Sequence, residues 1–124
     1  MLYIDNDVIN LTRGDDAELA INLTQGDGSA YEMSSEEYLI FGIRETPTED
    51  SPIILELTSE GGSNKIVFQH SDTEDLSIGF YSAEVQLMTE DHKRITVWPK
   101  LSGGGRTSKS NRKNFCLMTE VIRQ

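Results

Sequence analysis

A chain of 124 residues holds one domain with a single core, and its apolar share of 36% falls in short clustered runs that a disordered chain would not carry. The formal net charge of −10 is unevenly spread: residues 1–92 hold 3 basic and 20 acidic side chains, while residues 93–124 hold 8 basic and 1 acidic. That field argues against a general nucleic-acid binder, because most of the surface repels phosphate, but an acidic face beside a basic end can attract a second copy head to tail.

The N-terminal stretch MLYIDNDVIN carries Asp5 and Asp7 where a signal peptide needs basic and then apolar residues, and no apolar run reaches the roughly 18 residues of a membrane span. Cys116 is the only cysteine, so no internal disulfide is expected, and a cytosolic folding environment fits. From Val8 onward the hydrophobic period is two. Val8–Thr12 is the first run, and Leu19, Ile21 and Leu23 then alternate with Glu18, Ala20 and Asn22. The sequence nearly repeats itself here, Ile9-Asn10-Leu11-Thr12-Arg13-Gly14-Asp15 against Ile21-Asn22-Leu23-Thr24-Gln25-Gly26-Asp27. Each copy reads as a strand end followed by a turn, with Gly14 permitting the bend and Asp15 closing it by a side-chain bond to backbone. The Arg-Gly-Asp tripeptide and the two Asn-Leu-Thr sequons would act as adhesion or glycosylation signals only outside a cell or in a secretory lumen, so neither is expected to function.

Further alternating sets follow at Leu39, Phe41 and Ile43, at Ile53, Leu55 and Leu57, and at Ile66 and Phe68. Ser71-Asp72-Thr73-Glu74 has the spacing of a capping box and predicts one helical turn over Asp72–Leu76. Gly79 then opens a strand in which Tyr81, Ala83, Val85 and Leu87 face one way, and Tyr81 is the candidate for a corner tyrosine whose hydroxyl bonds upstream backbone. Ile95 and Val97 form the next run, and Phe115, Leu117 and Val121 the last. Between them lies Leu101–Lys113, LSGGGRTSKSNRK, longer than a hairpin loop needs. Its Arg106, Lys109, Arg112 and Lys113 are the candidate contacts to an acidic partner surface.

No catalytic set is expected. His70, Ser71 and Asp72 are adjacent in a turn and cannot converge as a triad does, and His92 lies in a hairpin turn. Asp5/Asp7 and Asp15/Asp16 lack the alternate spacing and central glycine of a calcium loop. Hence no cofactor, no metal site and no enzyme activity are predicted.

The segments LTRGDDAELAINL, GDGSAYEM, YLIFGIRE, IILELTS, KIVFQHSDTEDLSIGFYSAEVQLM and RITV together resemble the small immunoglobulin-like domains of tailed-phage and prophage structural proteins, similar to the N-terminal domain of baseplate upper proteins. The likeness rests on Thr12-Arg13-Gly14-Asp15, on Asp27-Gly28 before Tyr31, and on Asp72-Thr73 with Leu76, Gly79 and Tyr81. It spans roughly residues 7–124, with Leu101–Lys113 longer than the family's short hairpin. The receptor-binding or trimerising part that follows this domain in baseplate proteins is not expected within this chain.

The reading is therefore one all-β domain over residues 1–124, an immunoglobulin-like antiparallel β-sandwich of seven or eight strands with one short helical turn. The resemblance implies a structural component of a virion, assembled in the bacterial cytoplasm. It would contact other phage structural proteins and copies of itself, without nucleic acid or membrane. The alternative is a carbohydrate-binding or adhesion module, for which Trp98 and Tyr38 are the plausible aromatic platform.

Overall fold

The computed structural model describes residues 2–5, 8–46, 50–98 and 114–118. In chain order these form β1 (Leu2–Asp5), β2 (Val8–Thr12), β3 (Ala17–Ala20), β4 (Tyr38–Arg44), β5 (Ile53–Thr58), β6 (Lys65–Phe68), α1 (His70–Thr73), β7 (Gly79–Met88), β8 (Arg94–Trp98) and β9 (Phe115–Met118). The protein is all-β, with one four-residue helical turn among the described residues. A seven-stranded sheet runs β1-β2-β9-β7-β4-β5, with β8 also paired to β7, and β3 and β6 make a separate two-stranded sheet. Every pairing is antiparallel except β2 with β9, which is parallel.

Eight of the nine described strands coincide with the alternating runs of the sequence. The ninth, β1, pairs with β2 from Leu2↔Leu11 to Asp5↔Val8, a four-residue strand too short to show a period by itself. At β3 the ladder stops at Ala20, yet the chain beyond keeps its direction. Ile21 exchanges bonds with Asn64, its amide to the Asn64 carbonyl and its carbonyl to Asn64 Nδ2, and Tyr31 N donates to Leu23 O. Ile21 and Leu23 thus stay half-buried against the core although their backbone partners are scattered.

The two sheets meet across one core. Leu39, Phe41 and Ile43 of β4 lie opposite Leu87, Val85 and Ala83 of β7, and all six side chains are buried. Leu19, Ile66 and Phe68 close the core from the small sheet, and Ile9, Leu11, Phe115 and Leu117 from the β2–β9 pair. The layers are joined by three phenylalanines, one each from β4, β6 and β9. Phe41 meets Phe68 edge-on at 5.3 Å, and Phe115 stands 5.9 Å from Phe41 and 6.3 Å from Phe68. Such offset and edge contacts add about 0.5–1.5 kcal/mol per pair beyond the area that they bury.

The side of β7 turned away from β4 is shared by two strands. β8 pairs with Val85–Met88, and β9 pairs with Gly79–Tyr81. The interval is filled by a side chain. Asn114 is 3% exposed; its Oδ1 accepts from Ala83 N at 2.6 Å, and its Nδ2 donates to Ala83 O at 2.9 Å. Its own amide donates to Tyr81 O, and its carbonyl accepts from Ile9 N. The carboxamide therefore supplies Ala83 with the donor and acceptor that a paired strand would have supplied.

Because Val85 is fully buried opposite Phe41, a Val85→Asp chain is expected to be unfolded, whereas Phe68→Ala should fold with about 3–5 kcal/mol less stability. Urea denaturation followed by circular dichroism reads both, and a soluble, cooperatively folding Val85→Asp protein would contradict this assignment of the inner face.

Candidate functional site

The Arg-Gly-Asp turn is fastened to the helical segment. Asp15 N donates to Thr12 O at 3.2 Å and Gly14 sits at φ +83°, the pattern of a turn that needs a residue with positive φ at its third position. Gly14 N donates to Oγ1 of the fully buried Thr73 at 2.8 Å, Arg13 Nη1 donates to Leu76 O at 3.2 Å, and Asp16 Oδ1 accepts from His70 N at 2.7 Å. The tripeptide serves as the clasp between β2 and α1. The amide of Asp15 closes the turn on Thr12 O.

The second copy of the repeat turns differently. Gly28 N donates to Gln25 O, Thr24 bridges Ala30, and Gly28, not Gly26, takes the positive φ of +89°. That is a tight hairpin with its left-handed residue at the end of the turn. Asp27 Oδ1 accepts from both the amide and the hydroxyl of Ser29, which holds its carboxyl below the usual range.

The cap of the helical turn lies two residues before the expected Ser71. Gln69 is the N-cap, and the Asp72 carboxylate accepts from Gln69 N at 2.8 Å. Asp72 is thus committed to the cap, and His70 is turned to Asp16, with Nδ1 3.5 Å from Oδ1. Among the described residues no group of three or more His, Cys, Asp or Glu side chains could hold a metal ion.

After α1, Gly79 opens β7 at φ +152°, and the Tyr81 hydroxyl donates to the carbonyl of Ser77. Burial pushes the Tyr81 phenol above its ordinary value, with the nearby charge of Glu45 acting in the same direction. A second tyrosine network is invisible in the sequence. Tyr31 donates to both oxygens of the buried Glu37, at 2.8 and 2.9 Å, and Ser34 N donates to the same carboxylate. The bond to Glu37, followed by burial, raises the Tyr31 phenol. No spacing rule links a tyrosine to a glutamate six residues on across an irregular segment.

Arg106, Lys109, Arg112 and Lys113 lie outside the described residues. What is described is where their segment is tied: Trp98 ends β8 opposite Val85, and Asn114 stands beside Tyr81 and Ala83, so both flanks lie against β7. Tyr38 and Trp98 do not make one platform. Tyr38 is opposite Met88 on the outer face of the large sheet, and Trp98 is opposite Val85, packed against the core.

Charges on the outer face are paired. Arg44 Nη1 meets Glu84 Oε1 at 2.6 Å with both side chains 18% exposed, while the more exposed Arg94 and Glu56 stand 4.0 Å apart. Among the described residues no strand pairs with the outer edge of β5 or of β8. Among the described residues no helix is long and apolar enough to cross a membrane.

Comparison with known proteins brings no relative: no family model, curated protein or solved structure matches this chain.

Since an added Cβ at Gly14 meets nothing within 4 Å, the penalty of Gly14→Ala is conformational, about 1–2 kcal/mol, and Thr73→Val should cost a similar amount by leaving the Gly14 amide unpaired. Urea titrations of both variants check this. A loss below a few tenths of a kcal/mol in each would show that the clasp is dispensable.

Proposed function

We propose that this chain is a non-enzymatic assembly module of a phage or prophage tail or baseplate, built as an immunoglobulin-like sandwich. It acts through contacts with other structural proteins and with copies of itself, as a virion component assembled in the bacterial cytoplasm. The architecture is supported by the strand order β2-β9-β7-β4-β5 facing β3 and β6, and by a helical crossover followed by Tyr81 bonded back to Ser77. The phage assignment rests on the resemblance of the turn and strand segments in the sequence.

The observation that carries the assembly reading is the anchoring of the basic segment. The chain leaves β7 after Trp98 and rejoins it at Asn114, so the segment bearing Arg106, Lys109, Arg112 and Lys113 starts and ends beside one strand of a hydrogen-bonded sheet. A cationic segment held at both ends on an otherwise acidic molecule suits docking on an acidic protein surface better than on nucleic acid or membrane. The His70 amide and the Asp72 carboxylate are engaged in the clasp and the cap, in keeping with a scaffolding role.

Density-gradient fractionation of particles from cells that carry this gene tests the proposal. The chain is expected in the particle fraction at a fixed copy number and to be lost from it on replacing Arg106, Lys109, Arg112 and Lys113 together by Ser. Its confinement to particle-free fractions while complete particles are made would contradict the proposal.

A further inference from the structure

We propose that copies of this chain join head to tail, the β8 edge of one against the β5 edge of the next, so that the large sheet continues across the joint. The inference rests on the assembly reading above and names a second copy of this chain as the partner.

The two edges match in length and in face. β8 offers five residues, Arg94–Trp98, and β5 offers six, Ile53–Thr58, and neither has a strand on its outer side among the described residues. Unpaired strand edges present a row of amides and carbonyls that an incoming strand satisfies. Residues opposite one another across a ladder share a face. Ile95 is paired with the inward Leu87, and Leu55 and Leu57 with the inward Ile43 and Phe41, so all three lie on the inner side. Arg94 is paired with Met88 on the outer side, and Glu56 with Gly42 on that same side. A sheet continued from β8 into β5 therefore sets Ile95, 49% exposed in the single chain, beside Leu55 and Leu57. It sets Arg94 beside Glu56.

Charge selects this joint over its rivals. β8 begins with the exposed Arg94, preceded by the exposed Lys93, while β5 carries the exposed Glu56 between the exposed Asp50 and Glu60. Within the strands themselves, the only charged side chains that two β8 edges would bring together are those of Arg94, and for two β5 edges those of Glu56. The same charges that protect each edge from its own kind make the two edges complementary. Within one chain Arg94 already reaches toward Glu56 over the outer face, but at 4.0 Å and with both groups about half exposed the contact is weak. Exchanging it for the equivalent contact in a neighbour gives up little.

Sedimentation velocity of the full chain at low and high salt tests the joint, using Arg94→Glu, Glu56→Lys and their equimolar mixture, with circular dichroism to confirm that both variants fold. The parent is expected to associate at low salt and to dissociate at high salt. Each variant alone places like charges at every joint and should associate at least about tenfold more weakly. The mixture should regain the parent's association, because an intact Arg94–Glu56 joint then alternates with its charge-reversed counterpart. Association of the mixture no stronger than that of either variant, or a single variant that associates as well as the parent, would overturn β8–β5 pairing and leave the assembly reading intact. A parent that is monomeric at low salt overturns self-association altogether, whereas the assembly reading itself stands or falls on the particle gradient.

Discussion

The carboxamide of Asn114, bonded at both ends to the backbone of Ala83, is the contact on which the large sheet depends. Ala83 lies in the middle of β7, where its N–H and C=O point away from β4 into a gap between two other strands. A buried amide and carbonyl left unpaired there would each cost about 1–3 kcal/mol. One side chain removes both costs, and its own backbone ties β9 to Tyr81 on one side and to Ile9 on the other. β8 and β9 can therefore act as two halves of one strand lane although fifteen residues, 99–113, separate Trp98 from Asn114.

Around that seam the fold follows from a few compatible constraints. The inner faces of β4, β7 and β9 bury an unbroken set of aliphatic and aromatic side chains, and Phe68 locks the small sheet onto them. The crossover from β6 to β7 is too short to be a stable helix by itself, so it is held from outside by the Arg13–Asp16 turn. What resembles an adhesion tripeptide is thus spent on internal bonding. Polar chemistry elsewhere goes the same way: Tyr81 closes onto Ser77, Tyr31 onto Glu37, and Asp72 onto the amide of Gln69.

Alternation made most of the strands legible, because Leu39, Phe41 and Ile43, or Tyr81, Ala83, Val85 and Leu87, cannot change face without exposing the whole set. Turn chemistry was legible in kind but not in detail. Gly14 was identifiable as the bend, yet the choice of Gly28 over Gly26 depends on hairpin register, which a local pattern does not carry. β1 was hidden because four residues show no period, and the parallel pairing of β2 with β9 because those two strands come from opposite ends of the chain. Asn114 was hidden for another reason. It adjoins a basic, glycine-rich run, and a buried asparagine at such a place is indistinguishable from a loop residue until its partner Ala83, 31 positions earlier, is known.

Site-resolved amide hydrogen exchange at Ala83, in the parent chain and in an Asn114→Ala variant, tests the role of this seam most directly. The Ala83 amide should exchange slowly in the parent and lose protection in the variant, while amides in the β4–β5 ladder keep theirs. An Ala83 amide that exchanges freely in the parent, or that is equally protected without the carboxamide, would contradict the account.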